Sequence, residues 1–167
     1  YLFCMVMSGI LLPTSYLLCL PFMVLSIGFS VRTFIIMHDA GHGSLFPSRR
    51  LNGVLGHIAG VMTLTPLRDW AHNHAMHHAT SGDLDRRNGG DIDTITVSEY
   101  LKLSTWSRFY YRSYRNPWIL LVVGSVWTFM IDHRLPRKIT KGRGRSSLLV
   151  TNLGVAVMIT TMVLLGG

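Results

Sequence analysis

Four long stretches of this chain contain no charged side chain, and this pattern restricts the possible folds more than any other feature. The uncharged runs cover residues 1–31, 51–67, 116–131 and 146–167. All 16 basic and eight acidic side chains lie between them, so charged residues make up 14% of the chain, against about 25% in a soluble domain. A membrane-spanning helix needs about 20 apolar residues. The sequence therefore predicts an all-α integral membrane protein.

We expect about four membrane-embedded helices, joined by interfacial helices. Residues 1–37 have the length of a membrane hairpin, with Pro13 and Pro21 as possible breakpoints, and one long kinked helix is the alternative. Residues 117–165 are expected to form a second membrane hairpin, in which 117–131 is short for a span.

Two histidine-rich motifs flank the second uncharged run: HDAGH at residues 38–42 and HAMHH at residues 74–78. Residues three or four apart share one face of a helix, so the histidines of each motif can point at one centre. A shared centre requires both motifs on one side of the membrane. Residues 51–67 must then be re-entrant or interfacial, because a crossing would separate the motifs by about 30 Å.

The histidines of both motifs are the predicted metal ligands: His38, His42, His74, His77 and His78. Neutral imidazole binds zinc, iron, copper and nickel well. A zinc protease helix would place Glu directly after the first His, whereas this chain has Asp39. Five imidazoles exceed the needs of one tetrahedral zinc, which favours a two-metal site with positions open for dioxygen.

Other polar residues have two possible roles. Asp39 is expected either to orient a ligating imidazole or to form a salt bridge at the helix end. Trp70 is expected either to line an acyl tunnel or to anchor the chain at the membrane interface. We expect His57 to be a packed polar residue, His72 to be a surface or interfacial residue, and His133 to be an interfacial residue.

The polar segment 68–115 carries the second motif, a loop rich in Asp and Gly, and an expected interfacial helix over Glu99–Arg115. The net charge of +8 could suggest nucleic-acid binding, but the basic residues flank apolar runs and form no dense basic helix or RNA motif. We therefore expect no nucleic-acid partner. Contact with membrane lipid is expected instead, with the histidine motifs on the cytoplasmic side.

The two motifs and the segments around them make the chain resemble the membrane fatty acid desaturases, specifically the acyl-lipid omega-6 (delta-12) type branch. The resemblance covers essentially all 167 residues. Its strongest carriers are RTFIIMHDAGHGSLF (32–46), HAMHHATSGDLDRR (74–87), GDIDTITVSEY (90–100) and YRSYRNP (111–117). By position, HDAGH matches the first histidine box of that family and HAMHH matches the second.

The resemblance implies a non-haem enzyme with two Fe ions and O₂ as co-substrate. Such an enzyme introduces a cis double bond into a fatty acyl lipid or acyl thioester, with electrons from a ferredoxin or cytochrome b5 type donor. The family has a third histidine box, which this chain does not contain. We therefore expect residues 1–167 to be one partial desaturase domain of a longer protein, inactive in isolation.

Two alternatives stay open at this stage. A hydroxylase, conjugase or carotenoid oxygenase of the same membrane diiron superfamily would have similar boxes and would hold its substrate differently. A non-catalytic membrane metal-binding or transport protein would place its ligands at mid-membrane depth. The charged neighbours of the motifs, Asp39, Arg68 and Asp69, argue for an interfacial site instead.

Overall fold

The computed structural model describes residues 1–87, 92–136 and 142–166, and within these ranges the chain is helical with no strand. This confirms the all-α class for the described part. The helices are α1 (Leu2–Leu11), α2 (Tyr16–His42), α3 (Arg49–Met62), α4 (Leu67–Thr80), α5 (Val97–Lys102), α6 (Thr105–Tyr114), α7 (Ser125–Met130) and α8 (Arg143–Gly166). A π-helical segment, Ile119–Gly124, leads into α7, and a 3₁₀ turn, Asp132–Arg134, follows it.

Two of the described helices, α2 and α8, are long and apolar enough to cross a membrane. With 27 residues, α2 is about 40 Å long, which exceeds the roughly 30 Å of a bilayer core. Its C-terminal turns, which carry the first histidine motif, can therefore extend beyond the hydrocarbon. The expected total of about four membrane-embedded helices stays a prediction.

The first two helices form a hairpin rather than one kinked helix. The chain breaks at Pro13, and the Cys19 thiol of α2 donates a hydrogen bond to the Ser8 carbonyl of α1 at 3.3 Å. Pro21 lies inside α2 and does not end it. It lies early in the helix, where removing one backbone hydrogen bond leaves the later turns intact.

Small residues let α2, α3 and α4 approach one another closely. A Cβ on Gly56 of α3 would lie 2.8 Å from the Leu67 side chain and 3.0 Å from the Ala40 side chain. Beneath this contact, Met37 and Leu67 are fully buried and belong to one apolar cluster. This packing places the last turns of α2 directly beside α4.

The segment that must not cross the membrane folds back on itself. With 14 residues, α3 is about 21 Å long, and the chain reverses at residues 63–66 before α4 begins. This geometry is the one expected of a re-entrant segment, whose placement in the bilayer stays a prediction.

The last helix, α8, packs against both α3 and α4. A Cβ on Gly154 of α8 would lie 2.7 Å from the Val61 side chain of α3, so the two helices are in close contact. At the other end of α8, the Ser147 hydroxyl accepts a hydrogen bond from the backbone N–H of Arg68 at 3.0 Å. Whether residues 117–165 form a membrane hairpin stays a prediction, and residues 137–141 of its loop lie outside the described ranges.

The helix expected over Glu99–Arg115 is divided in two. Thr96 caps α5 in a capping box with Glu99, and the Ser104 hydroxyl accepts a hydrogen bond from the Ser107 N–H at the start of α6. A serine in this role starts a new helix, which explains the break. Before α5, Arg87 forms a bidentate salt bridge with Glu99, in which Nη1 and Nη2 donate to Oε1 and Oε2 at 2.8 and 3.0 Å.

Candidate metal centre

Four histidines from the two motifs meet where α2 ends against α4. The ligand nitrogens of His38, His42, His74 and His78 all lie within 4.8 Å of one another. His74 is the central member, because its Nε2 lies 3.1 Å from Nε2 of His38 and 3.1 Å from Nε2 of His78. The structure thus brings four histidines of the two motifs together, and metal binding by them stays a prediction.

Local sequence explains the convergence. Each motif contributes two histidines that are four residues apart and so share a helix face. Gly41, inside the first motif, has no side chain, and a Cβ there would lie 3.1 Å from the Trp70 ring, so glycine permits the close approach of α4. Directly after His42, Gly43 takes a left-handed conformation with φ of 73° and ends α2.

The spacing of the nitrogens fits a first-row transition metal. An imidazole nitrogen lies about 2.0–2.1 Å from a bound metal, which sets neighbouring ligands roughly 2.8–3.4 Å apart, from octahedral to tetrahedral arrangements. The two Nε2 separations of 3.1 Å fall within this range. Four imidazoles with no thiolate suit iron, copper, nickel or zinc, so the residues present fit the iron that the sequence predicts.

The electrostatic environment keeps His74 in the form that binds metal. Burial, followed by the neighbouring His78, His38, His42 and His77, lowers the pKa of His74 from 6.5 to about 4. Its imidazole is therefore neutral at pH 7, and protons compete with a metal for its nitrogen only as the pH falls towards 4.

Asp39 contacts the other nitrogen of a cluster histidine. Its Oδ1 lies 2.9 Å from Nδ1 of His38, while Nε2 of His38 faces His74. A carboxylate that accepts from Nδ1 fixes the tautomer with a lone pair on Nε2 and makes the imidazole a stronger ligand. Of the two roles expected for Asp39, this geometry supports the orienting one.

Replacing Asp39 with alanine is expected to weaken metal binding by about 10- to 100-fold, because an outer-sphere carboxylate contributes that much to affinity. The measurement is a Co²⁺ titration of the full chain in detergent, followed by visible absorption. Asp85→Ala, in the exposed loop after α4, is the matched control and should bind Co²⁺ like the unaltered chain. Equal affinities for the Asp39→Ala and Asp85→Ala variants would contradict the orienting role.

His77 lies beside the cluster rather than in it. Its ring stacks on His74 with 5.6 Å between centroids, and both histidines line a cavity of about 400 Å³ together with Asn73, Asp132 and His133. The four-histidine group does not include it. A ligand role for His77 therefore stays a prediction.

The remaining predicted positions differ in outcome. His57 is a packed polar residue as expected, with Nδ1 2.6 Å from the Gly53 carbonyl. His133 is buried within the chain, with 7% of its surface exposed, and its Nδ1 lies 3.3 Å from the Leu64 carbonyl. This contact joins residues 69 positions apart, and no local sequence pattern predicts it. The expected position of His133 at a membrane interface stays a prediction.

Trp70 lies between the histidine cluster and the apolar core. Its ring stacks on His74 with 4.3 Å between centroids and meets Phe34 edge-on at 5.6 Å. Such a position suits a residue that shields the cluster from the apolar side. The two expected roles, lining an acyl tunnel and anchoring the chain at the membrane interface, both stay predictions.

Comparisons with known proteins identify the family of the chain. The family model for fatty acid desaturase matches residues 14–167. A Bacillus subtilis protein named fatty acid desaturase is 41% identical over 156 residues, which is 93% of this chain and 44% of that protein. The Synechocystis sp. sn-1 acyl-lipid omega-3 desaturase (ferredoxin) is 40% identical over 52 residues, which is 31% of this chain and 14% of that protein. No solved structure matches the chain.

These matches show the family and leave its finer branch open. The chain spans less than half the length of the curated relatives it matches. One of these relatives carries an omega-3 name, so the omega-6 (delta-12) branch stays a prediction. The match over 154 residues and the identity to the Bacillus protein together establish that the chain belongs to the fatty acid desaturase family.

Proposed function

We propose that this chain is part of a non-haem, O₂-dependent fatty acyl desaturase with two Fe ions. The observation that carries the proposal is the convergence of the two histidine motifs, with Nε2 atoms 3.1 Å apart, in a member of this family. His38, His42, His74 and His78 would hold iron, and His77 would serve the second ion together with ligands from outside this chain.

Iron held by these histidines would activate O₂, which is the oxidant of the reaction. One hydrogen is removed from each of two neighbouring methylene groups of the acyl chain, and a cis double bond forms between them. O₂ takes up these two hydrogens together with two electrons and two protons from outside, and it is reduced to two waters. The chain's own contribution is positional. Asp39 orients His38. Trp70 stacks on His74 and contacts Phe34, so this aromatic pair lies beside the imidazoles.

An apolar cavity lined in part by Phe34 is the proposed place for the acyl chain. It has a volume of about 560 Å³ and is lined mainly by methionine, phenylalanine and aliphatic side chains, among them Phe34, Met62, Val126, Phe129 and Met158. Such a lining suits a methylene chain and excludes water from it. The substrate class proposed is therefore a fatty acyl lipid or an acyl thioester.

The proposed setting is a membrane, with the metal centre at its cytoplasmic face. Arg49 and Arg50 follow the first motif after six intervening residues, and Arg86 and Arg87 follow the second after seven, and such nearby basic residues are common in cytoplasmic segments. Residues 1–37 would form one membrane hairpin and 117–165 a second. The electrons would come from a ferredoxin or cytochrome b5 type donor, and the printed name of the Synechocystis relative includes ferredoxin.

Acyl-chain analysis tests the reaction. The longer protein that contains this chain would be expressed in a bacterial host with no desaturase of its own, and its fatty acids analysed by gas chromatography and mass spectrometry. We expect new cis-unsaturated chains, their loss in His42→Ala, and their retention in His72→Ala, which alters an exposed histidine outside the cluster. Hydroxylated chains, or no new product from an iron-loaded protein, would refute desaturation.

A further inference from the structure

Leu64, in the turn between α3 and α4, has an unusual backbone conformation. Within the described residues it is the one non-glycine residue with a positive φ, at 57°. In this left-handed region the Cβ of an L-residue crowds the following carbonyl, so a leucine there is strained. Such a conformation persists only where its surroundings hold it in place.

The turn itself is tight and buried. The Thr65 N–H donates to the Gly60 carbonyl at 2.7 Å, and a Cβ on Gly60 would lie only 2.5 Å from the Thr65 oxygen. Thr65 and Pro66 are both fully buried. The chain therefore reverses over four residues with no room to adjust, and α4 starts immediately afterwards.

A second segment holds the Leu64 carbonyl from outside the turn. The Arg134 guanidinium donates through Nη2 to this oxygen, and Nδ1 of His133 lies 3.3 Å from it. The backbone carbonyl of Arg134 in turn accepts a hydrogen bond from the Asn152 side chain of α8 at 3.0 Å. The strained turn is thus linked through Arg134 to the helix that packs against α3 and α4.

The guanidinium has few other partners. Its Nε and Nη1 are buried and make no hydrogen bond to any part of the chain that the structure describes. Burial of a charged group with so little compensation is unfavourable. The contact with Leu64 is therefore the interaction that accounts for the position of this side chain.

The turn sets the place of the second histidine motif. Leu67, the first residue of α4, packs against Gly56 and the Met37 cluster, and His74 follows two helical turns later. Ligand sets of this kind need their atoms held to within about 0.5 Å. A relaxed Leu64 would rotate or shift α4 and move His74 and His78 away from His38 by more than that.

We propose that Arg134 is a positioning residue for the metal centre: by donating to the Leu64 carbonyl, it holds the strained turn that sets α4 against α2. This inference rests on the proposed function only in that the four-histidine cluster binds a metal. It assigns a role to a residue 56 positions after the second motif, outside both boxes.

Co²⁺ binding to the full chain in detergent tests the proposal without any need for activity. Arg134→Gln is expected to lower Co²⁺ affinity about tenfold or more and to alter the visible bands of the imidazole-bound ion. Leu64→Gly should bind like the unaltered chain, because glycine adopts a positive φ without strain. For the same reason, the Leu64→Gly/Arg134→Gln double variant should regain most of the lost affinity. Arg145→Gln, on the exposed start of α8, is the control.

Each outcome of this experiment supports or overturns the proposed role of Arg134. Normal Co²⁺ binding by Arg134→Gln would overturn the role of Arg134. A loss that Leu64→Gly does not restore would also overturn it, since Arg134 would then act through general stability rather than through the turn. An unaltered chain with no Co²⁺ bands would instead refute the metal centre of the proposed function, and this inference with it.

Discussion

His74→Ala is expected to reduce the affinity of the chain for Fe²⁺ or Co²⁺ by at least about 100-fold, more than the loss of an outer-sphere partner. His74 contributes the nitrogen that lies 3.1 Å from both His38 and His78. Its removal leaves the other imidazoles without their common neighbour and removes one nitrogen ligand from the metal. The loss should therefore exceed that for any other single histidine in the chain.

Metal titrations with absorption or calorimetric detection measure this effect. His72→Ala is the matched control, because His72 is on the same helix, is exposed and is outside the cluster. Both variants lose one imidazole from α4, so general effects on the helix cancel in the comparison. If the two variants bound metal equally well, His74 would not be a ligand.

Gly60→Ala is expected to destabilise the α3–α4 unit by about 1–3 kcal/mol, the usual range for overpacking. The new methyl group would lie 2.5 Å from the backbone oxygen of Thr65, and a backbone atom cannot swing away as a side chain can. The turn that carries Leu64 must then open. We therefore expect lower metal affinity together with a lower unfolding temperature.

The control for this substitution is Gly53→Ala on the same helix. A Cβ at Gly53 would meet only the end of the flexible Arg68 side chain, at 3.5 Å. Alanine also improves helix propensity by about 1 kcal/mol, so Gly53→Ala should be neutral or slightly stabilising. Circular dichroism during heating in detergent separates the variants, and equal stability of the two would show that the close approach at Gly60 is not needed.

The sequence predicts well those features that depend on local spacing. Uncharged runs identify α2 and α8 as candidate spans, and the four-residue repeats within each motif place His38 with His42 and His74 with His78. The demand that both motifs share one side of the membrane also predicts that residues 51–67 turn back. The structure has a helix of 14 residues followed by a tight reversal in this segment, and its position relative to a membrane stays a prediction.

Features that depend on tertiary contact are harder to predict. The break between α5 and α6 follows from the Ser104 cap, which competes with helix continuation and is weak as a sequence signal. The separation of His77 from the other four histidines is set by how α4 rotates against α2. The burial of His133 and the contact of Arg134 with Leu64 join residues about 70 positions apart. Rules based on the spacing of nearby residues do not predict contacts between residues so far apart in the sequence.

X-ray absorption of the iron-loaded chain tests the central claim most directly, namely that two separate histidine motifs form one metal centre. We predict nitrogen neighbours at about 2.1 Å with the scattering pattern of at least three imidazoles. His38→Ala, from the first motif, and His78→Ala, from the second, should each lower the imidazole count. A spectrum that is unchanged when either motif is altered would contradict the account, because the metal would then be bound by one motif alone or elsewhere in the chain.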